Sequence, residues 1–273
     1  MNVVQSKPIQ TTEWQMNEVM EVLLKRKSVR AYEKREIEAE VRAEILKATL
    51  RAPTAGNLML YSILNITDQK IKDRLAVTCD NQPFIARAPM VWIFLADYQR
   101  WYDYFLASGV EELCARRGLS LQKPEEADLF LACNDAIIAA QNAVIAAESF
   151  GVGSCYIGDI MEQYEAHKDL LHLPQYVFPI CMVVFGYPTE QQKKSEYTTR
   201  FNEKFIIFEN QYHCLDQGEF DEMFAERQHH LPRGKAMEGI ANVGQATYLR
   251  KFSADFSMEM RRSVREILKE WQK

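Results

Sequence analysis

The stretch 135–150, DAIIAAQNAVIAAESF, constrains the fold of this 273-residue chain more than any other segment. Its alanines favour a helix, and apolar residues occupy nearly every face, so the helix must be buried among other elements. Gly151 follows where a left-handed C-terminal cap belongs. Two continuous apolar runs, 89–96 and 179–185, read as the buried strands such a helix packs on. A further strand is expected over 60–66, and a last one at Phe205–Phe208, set apart by a polar loop.

Helical spacing predicts helices over 17–27 and over 37–50, the second stopped by Pro53. Thr67-Asp68 caps a short helix through Leu75, and 98–131 is mixed and helical with an interruption at Lys123-Pro124. No repeat or linker divides the chain. The expectation is one α+β domain: an arm at 1–16, a core at 17–212, and a charged helical extension at 213–273 that acts as a lid or embraces a partner subunit.

Net charge is −5, so no global basic field draws the chain to nucleic acid or anionic membrane, and an anionic ligand needs local cations. The opening residues lack a signal-peptide pattern, and no uninterrupted apolar run reaches the roughly 18 residues of a membrane helix. The six cysteines show no CxxC or metal spacing, which argues against an iron–sulfur reductase and for free thiols in a reducing cytoplasm. The histidines lack metal-site neighbours, and no GxSxG elbow is present.

Four short signals remain. Arg26, Lys27, Ser28 and Arg30 can bind a phosphate, although cations at a helix end also simply complement its dipole. Pro53, Thr54, Ala55, Gly56 and Asn57 make a turn with exposed polar groups. Gly151, Gly153 and Gly158 lie in a glycine-rich turn that lets backbone approach a flat ligand, without the GxGxxG of dinucleotide folds. A basic loop with Lys193, Lys194 and Arg200 follows Gly186-Tyr187-Pro188.

In order and spacing these signals resemble the FMN-dependent nitroreductase family, NADPH-preferring branch, over roughly 17–212. The matching elements are Arg26-Lys-Ser28-Val-Arg30, Ala52-Pro-Thr-Ala-Gly-Asn57, 135–159, and Gly186-Tyr-Pro188 followed by Arg200; Asn81–Pro89 also matches. The resemblance implies a mixed, mostly antiparallel central sheet flanked by helices, in an intertwined homodimer. It implies FMN as cofactor and NADPH or NADH as hydride donor to a nitroaromatic, quinone or flavin acceptor.

By the same resemblance, Arg26, Ser28 and Arg200, with Lys27 beside them, hold the FMN phosphate, and Arg30 and Gln82 meet the pyrimidine ring. Pro53, Thr54, Ala55 and Asn57 come from the other subunit, while Tyr156, Ile157, Gly158 and Asp159 line the isoalloxazine, with a backbone N–H reaching N5. No side chain is needed as a covalent catalyst. Arg233 is the candidate for the NADPH 2′-phosphate. The chain departs from the family at Leu58–Tyr61, at Thr198 where a basic residue is usual, and at Asp159 where glycine is. Alternatives on the same fold are a reductive dehalogenase, a flavin-cleaving enzyme, or a flavin-binding protein that does not turn over.

Overall fold

The structure, a computed structural model, describes residues 17–232 and 238–273. The arm at 1–16 and the candidate Arg233 lie outside the described residues. Helix α1 (Glu18–Lys25) starts where Asn17 accepts a hydrogen bond from the Met20 N–H. Helix α2 (Ala39–Thr49) ends ahead of Pro53, as the sequence requires. Strand β1 (Tyr61–Asn65) leads to Asp68, which caps α3 (Gln69–Thr78) by accepting from the N–H groups of Lys70 and Ile71. Helix α4 (Pro83–Arg87) opens on proline, tolerated there because the first turn leaves N–H groups unpaired.

Strand β2 (Met90–Asp97) is followed by α5 (Gln99–Ala107), α6 (Val110–Arg116) and the long α7 (Glu126–Ser149). Helix α7 begins at Glu126 rather than near Asp135, because Glu125 and Asp128 form a reciprocal capping box directly after Pro124. Residues read as a glycine-rich turn form an edge strand, β3 (Gly153–Ile157). Then come α8 (Tyr164–Leu171), β4 (Val177–Gly186), α9 (Glu190–Lys193), α10 (Gln217–His229), α11 (Val243–Thr247) and α12 (Asp255–Trp271).

The sheet order is β1-β2-β4-β3, antiparallel throughout, and the one parallel pairing among the described residues is the isolated bridge Ser28–Ser154. Successive residues of the two central strands face opposite sides. Trp92, Phe94, Val183 and Phe185 meet the alanines of α7, while Val91, Ile93, Met182 and Val184 meet α3 and α4. Each large side chain buried this way contributes about 1.5–3 kcal/mol. Pro179 is tolerated inside β4 because it faces Leu95 at a bulge in the pairing.

Helix α7 is not enclosed by its own chain. Ala136, Ala139, Ala140, Ala143 and Ala147 are fully buried on the sheet, but Phe130, Leu131, Ile137 and Ile138 are exposed on the opposite side. One expectation is corrected. Phe205–Phe208 is not a strand: a 3₁₀ turn spans Glu203–Phe205, Phe205 alone is buried, and Ile206 and Ile207 project outward with no strand beside them. Helix α12, the last helix of the extension, packs on its own subunit. Trp271 is buried against Tyr176, its indole N–H donates to the Glu125 carbonyl at 3.0 Å, and Lys168 pairs with Glu270 at 2.9 Å.

Candidate active site

The chain leaves α1 at Arg26 with extended backbone angles, and the next residues lie along the free edge of β3. The Val29 N–H donates to the Ser154 carbonyl at 2.9 Å, and Val29 is buried. This approach depends on Gly153, where an added Cβ would meet Val29 Cγ2 at 2.4 Å. The glycine-rich segment is therefore used here for close packing of the basic strip. Gly158 differs: it is exposed, and a Cβ there would meet nothing within 4 Å.

The loop after β4 folds over the strip. Lys27 donates its ammonium hydrogens to the carbonyls of Lys193 (2.7 Å) and Ser195 (2.6 Å) and sits over the Tyr197 ring. The Arg30 N–H donates to Gln192 Oε1 at 3.2 Å. Between strip and loop lies a cavity of about 600 Å³ lined by Arg26, Lys27, Ser28, Arg30, Thr198 and Arg200. Lys27 is committed to the loop carbonyls, so it latches the cavity. Arg200 donates only to backbone and hydroxyl oxygens of Thr198 and Thr199. Among the described residues, no carboxylate pairs with Arg26, Arg30 or Arg200. Glu196 also lines the cavity but pairs with none of them, and three guanidinium groups with a serine hydroxyl make a donor set suited to a phosphate.

Arg30 also reaches toward α4, its guanidinium 5.9 Å from the Phe84 ring centre. Gln82, at the N-cap of α4, donates its amide hydrogens to the Cys79 carbonyl (2.9 Å) and to Asp159 Oδ2 (2.7 Å). Two acceptors fix the orientation of the amide and leave its Oε1 as the free group. Burial and the neighbouring Asp159, Asp80 and Glu259 push the Glu162 carboxyl up to about 8.

Along β3 the side chains divide by face. Ile157 is buried in the sheet core, so only its backbone is available to a ligand. Tyr156 faces α7, its hydroxyl hydrogen-bonded to Gln141 Oε1 at 3.2 Å. Burial pushes its phenol well above the usual range.

The segment carrying Pro53, Thr54, Ala55 and Asn57 does not line the basic cavity. It is held against α7 by Asp135, whose two carboxylate oxygens accept from the Ala55 N–H (2.9 Å) and the Leu60 N–H (3.0 Å). Gly56, Asn57 and Met59 take left-handed angles, which produces a tight turn. Sequence reading missed the roles of Asp135 and the Lys27 latch. A lone acidic residue inside the apolar 135–150 run was the available sign of the first.

The model of the Nitroreductase family matches residues 23–187. An oxygen-insensitive NADPH nitroreductase of Salmonella typhimurium is 29% identical over 222 residues, 80% of this chain and 85% of that protein. An FMN reductase (NADPH) of Bacillus subtilis is 29% identical over 199 residues, 72% of this chain and 75% of that protein. Among solved structures, Bacillus megaterium NfrA2 superposes with a TM-score of 0.75 at 25% identity, covering 94% of this chain and 98% of that one. By the match to its model, in the motif order described above and on the same fold, this chain belongs to the nitroreductase family.

Proposed function

We propose that this chain is an NAD(P)H oxidoreductase that works as an FMN-bound homodimer in the cytoplasm and reduces a nitroaromatic, quinone or flavin acceptor. The observation that carries the reading is the cluster of Arg26, Ser28, Arg30 and Arg200 around one cavity, none of the three arginines ion-paired with the Glu196 that also lines it. Its donor set fits the phosphate of FMN, and the relatives named for NADPH and FMN chemistry agree. When bound, FMN supplies the hydride chemistry, and the protein supplies position and electrostatics. Arg30, between the phosphate cavity and α4, would supply fixed positive charge to the bound cofactor as it is reduced. Gln82 presents a carbonyl oxygen, which suits the imide N–H of a flavin.

What one chain leaves bare supports the dimer. Val19, Met20, Leu23 and Leu24 on α1 and Phe130, Leu131, Ile137 and Ile138 on α7 are exposed apolar groups, enough to demand a cover. A second copy buries them and brings its own Pro53–Asn57 turn to the cavity. Arg233 is kept as the proposed contact for the NADPH 2′-phosphate; equal turnover with NADH would remove the need for one. Six unpaired thiols suit a reducing compartment.

The test is the absorbance spectrum of the purified protein, with the released cofactor identified by mass, followed by anaerobic addition of NADPH. Yellow protein that releases FMN and bleaches with NADPH is expected. Yellow protein that stays unbleached would make it a flavin binder, and colourless protein that refuses FMN would end the proposal.

A further inference from the structure

The segment 195–200 brings both signs of charge to the basic cavity. Arg200 is its one cation, and Thr198 stands where the family usually has another basic residue. Glu196, on the same segment, is the one acidic side chain lining the cavity. Where the segment sits therefore decides how much positive charge a bound anion meets. Residues 193–200 are all exposed, so apolar burial does not hold them in place.

Upstream, the loop is zipped to the residues that follow the basic strip. The Glu33 N–H donates to the Tyr187 carbonyl at 2.8 Å, the Thr189 N–H donates to the Ala31 carbonyl at 3.2 Å, and Lys193 pairs with Glu33 at 3.3 Å. Downstream, Phe201 packs on the Phe224 ring and under the Arg227 guanidinium. Between these anchors the bonds are local: Ser195 bonds with Gln192, and Arg200 donates to Thr198 and Thr199. Among the described residues, one side chain from outside the loop reaches this stretch by hydrogen bond. It is Lys27, which donates to the Ser195 carbonyl at 2.6 Å and the Lys193 carbonyl at 2.7 Å. Two of its three N–H donors are thus used on backbone, and its ammonium lies 5.0 Å from the centre of the Tyr197 ring.

We propose that Lys27 is a positioning residue: it holds the segment 195–200 so that Arg200 stays at the phosphate cavity, and it does not bind the phosphate itself. The inference rests on the FMN reading above. Charge-assisted bonds to two carbonyls two residues apart fix the backbone in place as well as in direction. With threonine at 198, the grip that this segment offers a phosphate depends on Arg200 alone.

Lys27→Met keeps the length and the apolar stem but removes every donor, while Lys27→Arg keeps the charge and can still donate to two carbonyls. The first measurement uses the full chain freed of any cofactor. Trypsin cuts after Lys193, Lys194 or Arg200 are followed by mass, and K27M should be nicked about tenfold faster, with K27R close to wild type. The second is fluorescence titration with FMN and with riboflavin, which lacks the phosphate. K27M should lose about tenfold in FMN affinity and keep its riboflavin affinity. In an Arg200→Met background K27M should cost little more, because its effect runs through Arg200. Nicking of K27M at the wild-type rate overturns the proposal. So do losses that add in full, which would make Lys27 a direct phosphate contact. Wild type that refuses FMN would end the cofactor reading and Lys27's part in it, while the trypsin result still decides whether Lys27 holds the loop.

Discussion

Asp135→Asn should loosen the turn that supplies Pro53–Asn57 while leaving side-chain volume almost unchanged. In the native chain both Asp135 oxygens accept backbone N–H bonds, from Ala55 at 2.9 Å and Leu60 at 3.0 Å, and Asp135 is 2% exposed. Hydrogen bonds to a charged group contribute about 1.5–3 kcal/mol each. An asparagine keeps one as a neutral bond of roughly half that strength and turns an N–H donor toward the other backbone N–H. The buried N–H left unpaired costs about 1–3 kcal/mol, so the summed loss is about 2–4 kcal/mol. With a urea slope near 3 kcal/mol/M, the midpoint should fall by about 1 M with the slope unchanged. Both proteins must be compared at one concentration, because dimerisation contributes to apparent stability. FMN affinity should fall by about tenfold or more, equivalent to about 1.4 kcal/mol, if the loosened turn meets the cofactor. An unchanged midpoint and slope would refute the anchoring argument.

Gly153→Ala should displace the basic strip, since its Cβ would lie 2.4 Å from Val29 Cγ2; a loss of about 1–3 kcal/mol and weaker FMN binding are expected, measured by urea unfolding and fluorescence titration. Ile138→Glu places a charge on the bare face of α7 and should shift the protein toward monomer in sedimentation velocity; an unchanged dimer would mean that this face is not the interface. Arg262 holds the Glu165 carboxyl down to about 2 from its ordinary 4.5. That depressed pKa adds stability above pH 4.5 that is lost as pH falls toward 2, so Arg262→Gln should flatten the acid-side stability loss; an unchanged profile would exclude the pair as its source.

The presence of the central strands and the burial of α7 are legible in sequence because apolar patterning is a local property. Val91 and Trp92 must point to opposite faces wherever β2 lies, and alanines at 136, 140, 143 and 147 must share a stripe. The strip Arg26–Arg30 and the later Arg200 are likewise legible as phosphate chemistry, since residue type alone fixes charge and donors. Phe205–Phe208 misled because apolarity without a neighbouring strand does not make a strand: backbone pairing is decided by what lies alongside.

What only the tertiary structure decided are the partners brought together across long stretches of chain: Asp135 with Ala55, Lys27 with the 193 and 195 carbonyls, Gln82 with Asp159, and α12 with Glu125. A carboxylate or ammonium is capable of the same bonds anywhere in the sequence. Which bond it makes depends on the residues that folding sets beside it and on how far water is excluded there.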